Sequence, residues 1–179
     1  SGGMKQDNSP SVKLELFFKE KRHFSYSKGD TILHAGDEPR GVFYLTRGYV
    51  RLYSISKEGE ELTLIIFKPQ DFFPMMWVIN NTPQDYYLEA MTNCELYRAH
   101  REEFITFMKR ESDVEFDLLG KILTRLGGLL SRMEYLAFGN AHQKVASILL
   151  ICAERFGTEH KNETVVKVHL TNKDIADLV

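Results

Sequence analysis

Between Pro69 and Tyr97 the chain carries four carboxylates, Asp71, Asp85, Glu89 and Glu95, and no Lys, Arg or His. A phosphate set against this stretch would meet like charge and would lack the guanidinium fork that grips it with two parallel bonds. The stretch is bulky instead, with Phe72, Phe73, Met75, Met76, Trp77, Tyr86, Tyr87 and Met91. Such side chains can line an apolar pocket in which a few polar groups orient an aromatic or lipid-like effector. They can equally fill the interior of a fold, which Met and aromatic clusters do more often. Read as a pocket, the set is Phe73, Met75, Trp77, Gln84, Asp85 and Tyr86, with Arg51 as a polar partner for an acidic ligand. The competing reading leaves Arg51, like Arg47, as a solvated surface charge.

Catalytic and metal chemistry find little support. The six histidines, His23, His34, His100, His142, His160 and His169, show neither His-x-His nor His-Glu-x-x-His spacing, so a metal-dependent cupin enzyme, the remotest reading, lacks its usual ligand pattern. Cys94 and Cys152 are too few for a disulfide framework or a four-thiolate centre. No glycine-flanked nucleophile elbow and no glycine-rich phosphate loop occurs. No enzyme activity, metal or cofactor is therefore expected.

Of 179 residues, 43% are hydrophobic and 27% charged, the composition of a globular chain with one large domain or two small ones. Lys plus Arg number 23 against 25 Asp plus Glu. The net charge of −2 gives no global attraction to nucleic acid or anionic lipid, so any DNA contact must be local. No run approaches the roughly 18 apolar residues of a membrane span, and the start lacks the build of a signal peptide. The expectation is a cytoplasmic protein without a membrane partner. Ser1-Gly2-Gly3 ahead of Met4 reads as a tag remnant.

Turn signals recur from Phe24 to about His100, among them Lys28-Gly29-Asp30, Ala35-Gly36-Asp37-Glu38-Pro39, Arg47-Gly48, Lys57-Glu58-Gly59 and Asn80-Asn81-Thr82-Pro83. Between them, Thr31–Leu33, Val42–Leu45, Tyr49–Tyr53 and Leu62–Phe67 are rich in β-branched and aromatic residues. Short strands at this spacing predict an all-β sandwich or barrel over residues 24–100, of which the jelly roll is one form. The period then changes. Phe116, Leu119, Leu123, Leu126, Leu130, Met133 and Ala137 are separated by 3, 4, 3, 4, 3 and 4 residues, the spacing of a two-helix seam. A helix from about Val114 to Phe138 would run roughly 35–40 Å, longer than the β unit needs for cover. Gly120, Gly127 and Gly128 weaken it by about 1 kcal/mol each, a cost tolerated where a second backbone comes close.

Gly139 ends that helix and Asn140 can cap the next, which carries the stripe Val145, Ile148, Leu149, Cys152 and Phe156; Cys152 reads as a small core residue. A polar turn, Thr158 to Asn162, leads to a short strand, Val165–Val168. Thr171 with Asp174 three residues on forms a weak variant of the capping box before Ile175, Leu178 and Val179.

This order of parts resembles the cyclic-AMP receptor and fumarate–nitrate regulator (CRP/FNR) family of bacterial transcription factors over nearly the whole chain. The resemblance rests on FSYSKGDTILHAGDEPRGVFYLTRGYVRLY at Phe24 to Tyr53, QDFF at Gln70 to Phe73, and LTNKDIADLV at Leu170 to Val179, which looks like the first helix of a helix-turn-helix. It implies an α+β fold. Residues 4–110 would be a cyclic nucleotide-binding-like β jelly roll that senses an effector, 111–139 a dimerisation helix, and 140–179 an incomplete winged-helix domain in which Thr171, Asn172 and Lys173 sit on the DNA-supporting helix. The partners implied are a second copy of the chain, an unidentified small-molecule effector, RNA polymerase and, for the full-length protein, DNA.

Nucleotide-binding members carry Gly-Glu after the phenylalanine of this segment, for the ribose, and Pro-Arg about nine positions later, for the cyclic phosphate. Here Pro74 and Met75 replace the first pair, and Pro83 is followed by Gln84 and Asp85. The expected function is a transcriptional regulator that senses something other than a cyclic nucleotide, or nothing; the alternative is a ligand-binding or dimerisation module without DNA function. Residues 140–179 hold five Lys plus Arg and five Asp plus Glu, and the sequence stops within the apolar stripe. This 179-residue chain alone is therefore expected not to bind DNA selectively, and its last apolar residues to be mobile or held by a neighbouring chain.

Overall fold

A computed structural model describes residues 8–160, 163–167 and 169–178; Ser1–Gly3, Asn162, Val168 and Val179, all part of the expectations above, lie outside them. The chain divides into two compact units. The first comprises the described residues up to Arg51 together with Phe67–Gly120, and the second comprises Leu52–Ile66 with the residues from Lys121 onward.

In chain order the elements are α1 (Pro10–Lys19), β1 (Arg22–Tyr26), β2 (Thr31–Leu33), β3 (Val42–Arg47), β4 (Val50–Ile55), β5 (Glu61–Phe67), β6 (Phe72–Phe73), α2 (Met75–Asn80), β7 (Tyr87–Ala90) and β8 (Cys94–Ala99). There follow α3 (Arg101–Arg110), α4 (Ser112–Phe138), α5 (Ala141–Phe156), β9 (Gly157–His160), β10 (Glu163–Val166) and α6 (Asn172–Ala176).

The first unit holds an antiparallel sheet in the order β1-β8-β3-β6 and the antiparallel pair β2-β7. Its register places Phe24 opposite Leu96 and Tyr26 opposite Cys94, so one side chain in two points into the roll. Gly48 makes the turn after β3 at φ +88°, where a Cβ would strike the Asn93 carbonyl; only glycine fits both conditions. The mixed fold, with its antiparallel roll and long helix, is the one expected from the sequence.

Three helices interrupt or flank what was expected to be uniform β structure over 24–100. Helix α2 lies inside that range, because Met75 to Asn80 buries Val78 while Pro74 supplies the extended residue before its first turn. Pro10 at the first turn starts α1, which buries Leu14 and Phe18, and α3 buries Phe104 and Met108. Acidic Glu102 and Glu103 begin α3 and basic Lys109 and Arg110 end it, in keeping with the helix dipole.

The core of the first unit forms where these helices meet the sheet. Phe104 lies 4.9 Å from Phe72 and 5.6 Å from Phe18 between ring centroids, and Phe18 stacks on Tyr44 at 4.8 Å. Burial, helped by Glu15 and Asp71, pushes the Tyr44 phenol up to about 12, so it stays protonated. Val114 and Leu118 of α4 join the same cluster.

In the second unit Asn140 caps α5, as the sequence suggested, and Gln143 returns the bond to complete a reciprocal capping box, each bond 2.9 Å. Ile148, Cys152 and Phe156 are buried, but Val145 and Leu149 are exposed, so the stripe is narrower than expected. The segment from Thr158, expected to be a polar turn, is instead strand β9, paired antiparallel with β10, which begins at Glu163 rather than Val165. Alternation is too short here to separate a polar strand from a turn. The expectation of an unsupported end is also corrected: Leu178 is buried and Ile175 is half-buried. No helix among the described residues is long and apolar enough to cross a membrane.

Phe104 is fully buried. Phe104→Ala should therefore destabilise the first unit by about 3–5 kcal/mol in urea titration followed by circular dichroism; a loss below about 1 kcal/mol would place the core elsewhere.

Candidate functional site

The seven residues read as an effector pocket all lie in the first unit, but each is already engaged or turned outward. Phe73 is fully buried, 5.9 Å from Phe43 and 4.9 Å from Phe67, and is part of the packing. Met75 and Trp77, half-buried, pack against the core from α2. Gln84 is buried; its side-chain Nε2 donates to the Tyr86 carbonyl at 2.9 Å, while its main-chain carbonyl accepts from Gly36 N at 2.7 Å. Asp85 is exposed and Tyr86 half-buried. Arg51 is only 6% exposed, which corrects its reading as a solvated charge, and its Nε meets Glu89 Oε1 at 3.2 Å. A guanidinium out of water needs such a partner, and Glu89, which the sequence offered only as a repulsive charge for phosphate, supplies it.

Two clefts are lined by other residues. One, of about 870 Å³ in the first unit, runs along Phe24, Tyr26, Thr31 to His34, Asp37 to Arg40, Phe43 and Arg98. The other, of about 780 Å³ in the second unit, lies between the β4–β5 hairpin and Lys173, Ala176 and Asp177 of the C-terminal segment. Neither contains any of the seven expected residues.

Along α4, the seam residues Phe116, Leu119, Leu123, Leu126, Leu130, Met133 and Ala137 are all exposed, from 48% at Leu126 to 77% at Phe116 among the large ones. A Cβ at Gly120, Gly127 or Gly128 would meet nothing within 4 Å. Helix α6 is capped by Thr171, whose side chain and that of Asp174 cap each other's backbone. Asn172 is exposed, and Lys173 Nζ lies 2.8 Å from Asp177 and 3.3 Å from Glu61, which raises its pKa.

Two features went unread in the sequence. Arg132, 7% exposed, donates through Nη1 to the Thr63 carbonyl at 2.6 Å and through Nη2 to the Leu178 carbonyl at 2.5 Å. Burial lowers its pKa; backbone carbonyls replace the water lost at Nη1 and Nη2, while the buried Nε has no hydrogen-bond partner among the described residues. Thr63 N in turn donates to the Asp177 carbonyl at 2.8 Å, so β5 and the end of α6 are tied within the second unit. Nothing in the local pattern separates this arginine from the solvated charges of the same helix. The other feature is the group Arg22, Arg40 and Arg98, which the fold assembles from three separate segments.

Among the described residues no cluster of three His, Cys, Asp or Glu side chains suits a metal ion. His23 Nε2 pairs with Glu95 at 2.7 Å and His34 Nδ1 approaches Asp37 at 3.4 Å. Both cysteines are buried, which raises the pKa of each thiol and makes it a poor nucleophile.

An antiparallel roll followed by a long helix with an open apolar seam is also the arrangement that comparison with known proteins finds. Residues 23–111 match the cyclic nucleotide-binding domain family. The global nitrogen regulator of Synechocystis sp. is 24% identical over 157 residues, covering 87% of this chain and 70% of that one. The CRP-like cAMP-activated global transcriptional regulator of Mycobacterium tuberculosis is 24% identical over 177 residues, covering 99% and 79%. Among solved structures, the c-di-GMP responsive global regulator CLP of Xanthomonas campestris superposes with a TM-score of 0.74 at 19% identity, over 94% of this chain and 84% of that one. The chain carries a cyclic nucleotide-binding domain and is a homologue of the CRP/FNR-type transcriptional regulators.

Arg132→Met would leave the Thr63 and Leu178 carbonyls without their donor. Hydrogen exchange at the Thr63 amide should then accelerate at least about tenfold; unchanged exchange would show that the guanidinium does not hold this junction.

Proposed function

We propose that the protein is a DNA-binding transcriptional regulator of the CRP/FNR type whose roll does not respond to cyclic AMP or cyclic GMP. One observation carries the reading. The position where relatives of the nucleotide-binding kind present an arginine to the cyclic phosphate is Gln84, a buried amide already hydrogen-bonded to Tyr86. Met75 stands where the ribose-binding carboxylate would be, and the nearby buried guanidinium of Arg51 is paired with Glu89. The names of the relatives support a family in which effectors differ, since one is called cAMP-activated and another c-di-GMP responsive. The effector of this protein is another small molecule, or it has none.

The exposed seam on α4 is taken as a parallel homodimer interface. An effector in the roll would act by favouring one of two arrangements of the helix pair, and with it one spacing of the DNA-reading elements. Thr171, Asn172 and Lys173 belong to the helix that supports such an element against the phosphate backbone. RNA polymerase is the partner such a regulator addresses. A regulator of this kind performs no catalysis, resides in the cytoplasm and needs no metal or cofactor.

Two measurements test this. Removing one member of a buried, hydrogen-bonded charge pair costs about 2–5 kcal/mol, roughly 30- to 4,000-fold in affinity, and two such groups are replaced here. Calorimetric titration with cyclic AMP or cyclic GMP should give no saturable heat up to about 1 mM; a micromolar constant would overturn the reading. Sedimentation on the order of tens of micromolar should show a dimer, and Leu126→Asp, which buries a charge in each half of the seam, should give a monomer.

A further inference from the structure

Arg22 and Arg98 face each other directly across the β1–β8 ladder. Like charges in that position repel, yet both guanidinium groups turn toward one ring: their central carbons lie 5.0 Å and 4.5 Å from the Phe24 centroid. Arg40, on the loop before β3, is near enough for its charge to lower the pKa of Arg98, together with the larger effect of burial and that of Arg22. Among the described residues none of the three arginines forms an ion pair.

The loop is held there by Gly41, at φ +150°, where a Cβ would collide with the Ala99 carbonyl and approach Arg98 Cγ to 2.9 Å. Arg40 and Arg98 line the cleft of about 870 Å³ together with Phe24, Tyr26, Phe43 and Thr31 to Leu33. That volume is of the size small-molecule sites have. Stacking on an aromatic face orders a guanidinium while leaving its N–H edge free for an oxyanion. Asp37, which approaches His34, and Glu38 also line the cleft, but neither pairs with these arginines among the described residues, and cations without a paired carboxylate are relieved by a multiply charged anion.

We propose that this cleft is a binding site for a phosphate monoester or diphosphate group carried on a small aromatic body, with Arg40 and Arg98 of its lining as the anion clamp, Arg22 adding its charge from the far side of the β1–β8 ladder, and Phe24, Tyr26 and Phe43 as its apolar wall. The site is separate from the segment around Gln84. A cyclic phosphate diester, with one charge and no terminal phosphate, is a poor fit to it.

The test is calorimetric titration of the full chain with AMP, with inorganic pyrophosphate, and with cyclic AMP as the comparison. AMP and pyrophosphate should both bind, and cyclic AMP at least about tenfold more weakly. Arg98→Leu and, independently, the exposed Arg40→Ala should each weaken AMP and pyrophosphate about tenfold or more, and Arg98→Lys should restore part of the loss without the bidentate geometry. Thermal unfolding of the Arg40→Ala protein should match the parent, separating loss of the site from loss of the fold. Absence of binding by both probes, or binding that survives both substitutions, overturns the proposal. Retention of a hexaglutamate peptide with no response to either probe assigns the arginines to a protein contact and overturns it as well. Cyclic AMP bound with an affinity that Arg98→Leu leaves unchanged contradicts the reading of Gln84 above and leaves this cleft to be judged by the other two probes.

Discussion

Helix α4 has more apolar surface than one chain can cover. Val114 and Leu118, four residues apart, are buried in the core of the first unit, while Phe116, Leu119, Leu123, Leu126, Leu130 and Met133 stand in solvent. A lone exposed leucine is ordinary, but a continuous seam on one face of a helix is the pattern on which the proposed helix pair rests. The glycines lie along the same helix. They weaken it, and a Cβ at Gly120, Gly127 or Gly128 would meet nothing within 4 Å, which leaves room for the close backbone approach of the proposed pair.

The roll shows the opposite arrangement, in which polar groups are satisfied from within. Arg51 takes Glu89, Gln84 takes the Tyr86 and Gly36 backbone, and Arg101 Nε donates to the carbonyls of Trp77 and Val78 at 3.2 and 2.9 Å, anchoring α2. A ligand entering at Gln84 would have to displace bonds the chain already makes, at a cost of about 1–3 kcal/mol for each group left unpaired. The aromatic and Met residues between Phe72 and Met91 divide along the same line. Phe72 and Phe73 are core, Met75 and Trp77 flank it, and only Met76 is largely exposed.

What was legible in the sequence had short range. The strands at Thr31, Val42 and Leu62, the helix through the 3-4 spacing, and the caps at Asn140 and Thr171 depend on residues within a few positions of one another, and they stand where expected. Helices α1, α2 and α3 went unread because their apolar faces are short: two buried residues on α1 and α3, and one on α2, leave little period to detect. The effector residues were legible as types but not as partners. Arg51 and Glu89 lie 38 residues apart, and only the fold brings them together.

The arginines make the same point through energetics. Arg51, Arg132 and Arg98 are all at least partly withdrawn from water, and each environment answers the resulting cost differently. Arg51 meets a carboxylate, and Arg132 meets main-chain carbonyls that would otherwise want donors. In both the protein supplies acceptors itself, although the buried Nε of Arg132 has no hydrogen-bond partner among the described residues. Arg98 has an aromatic ring and two like charges instead. A ring satisfies the face of a guanidinium but not its N–H edge, and like charges raise the cost further. Of the three, it is the one whose surroundings leave an anion to come from outside the chain.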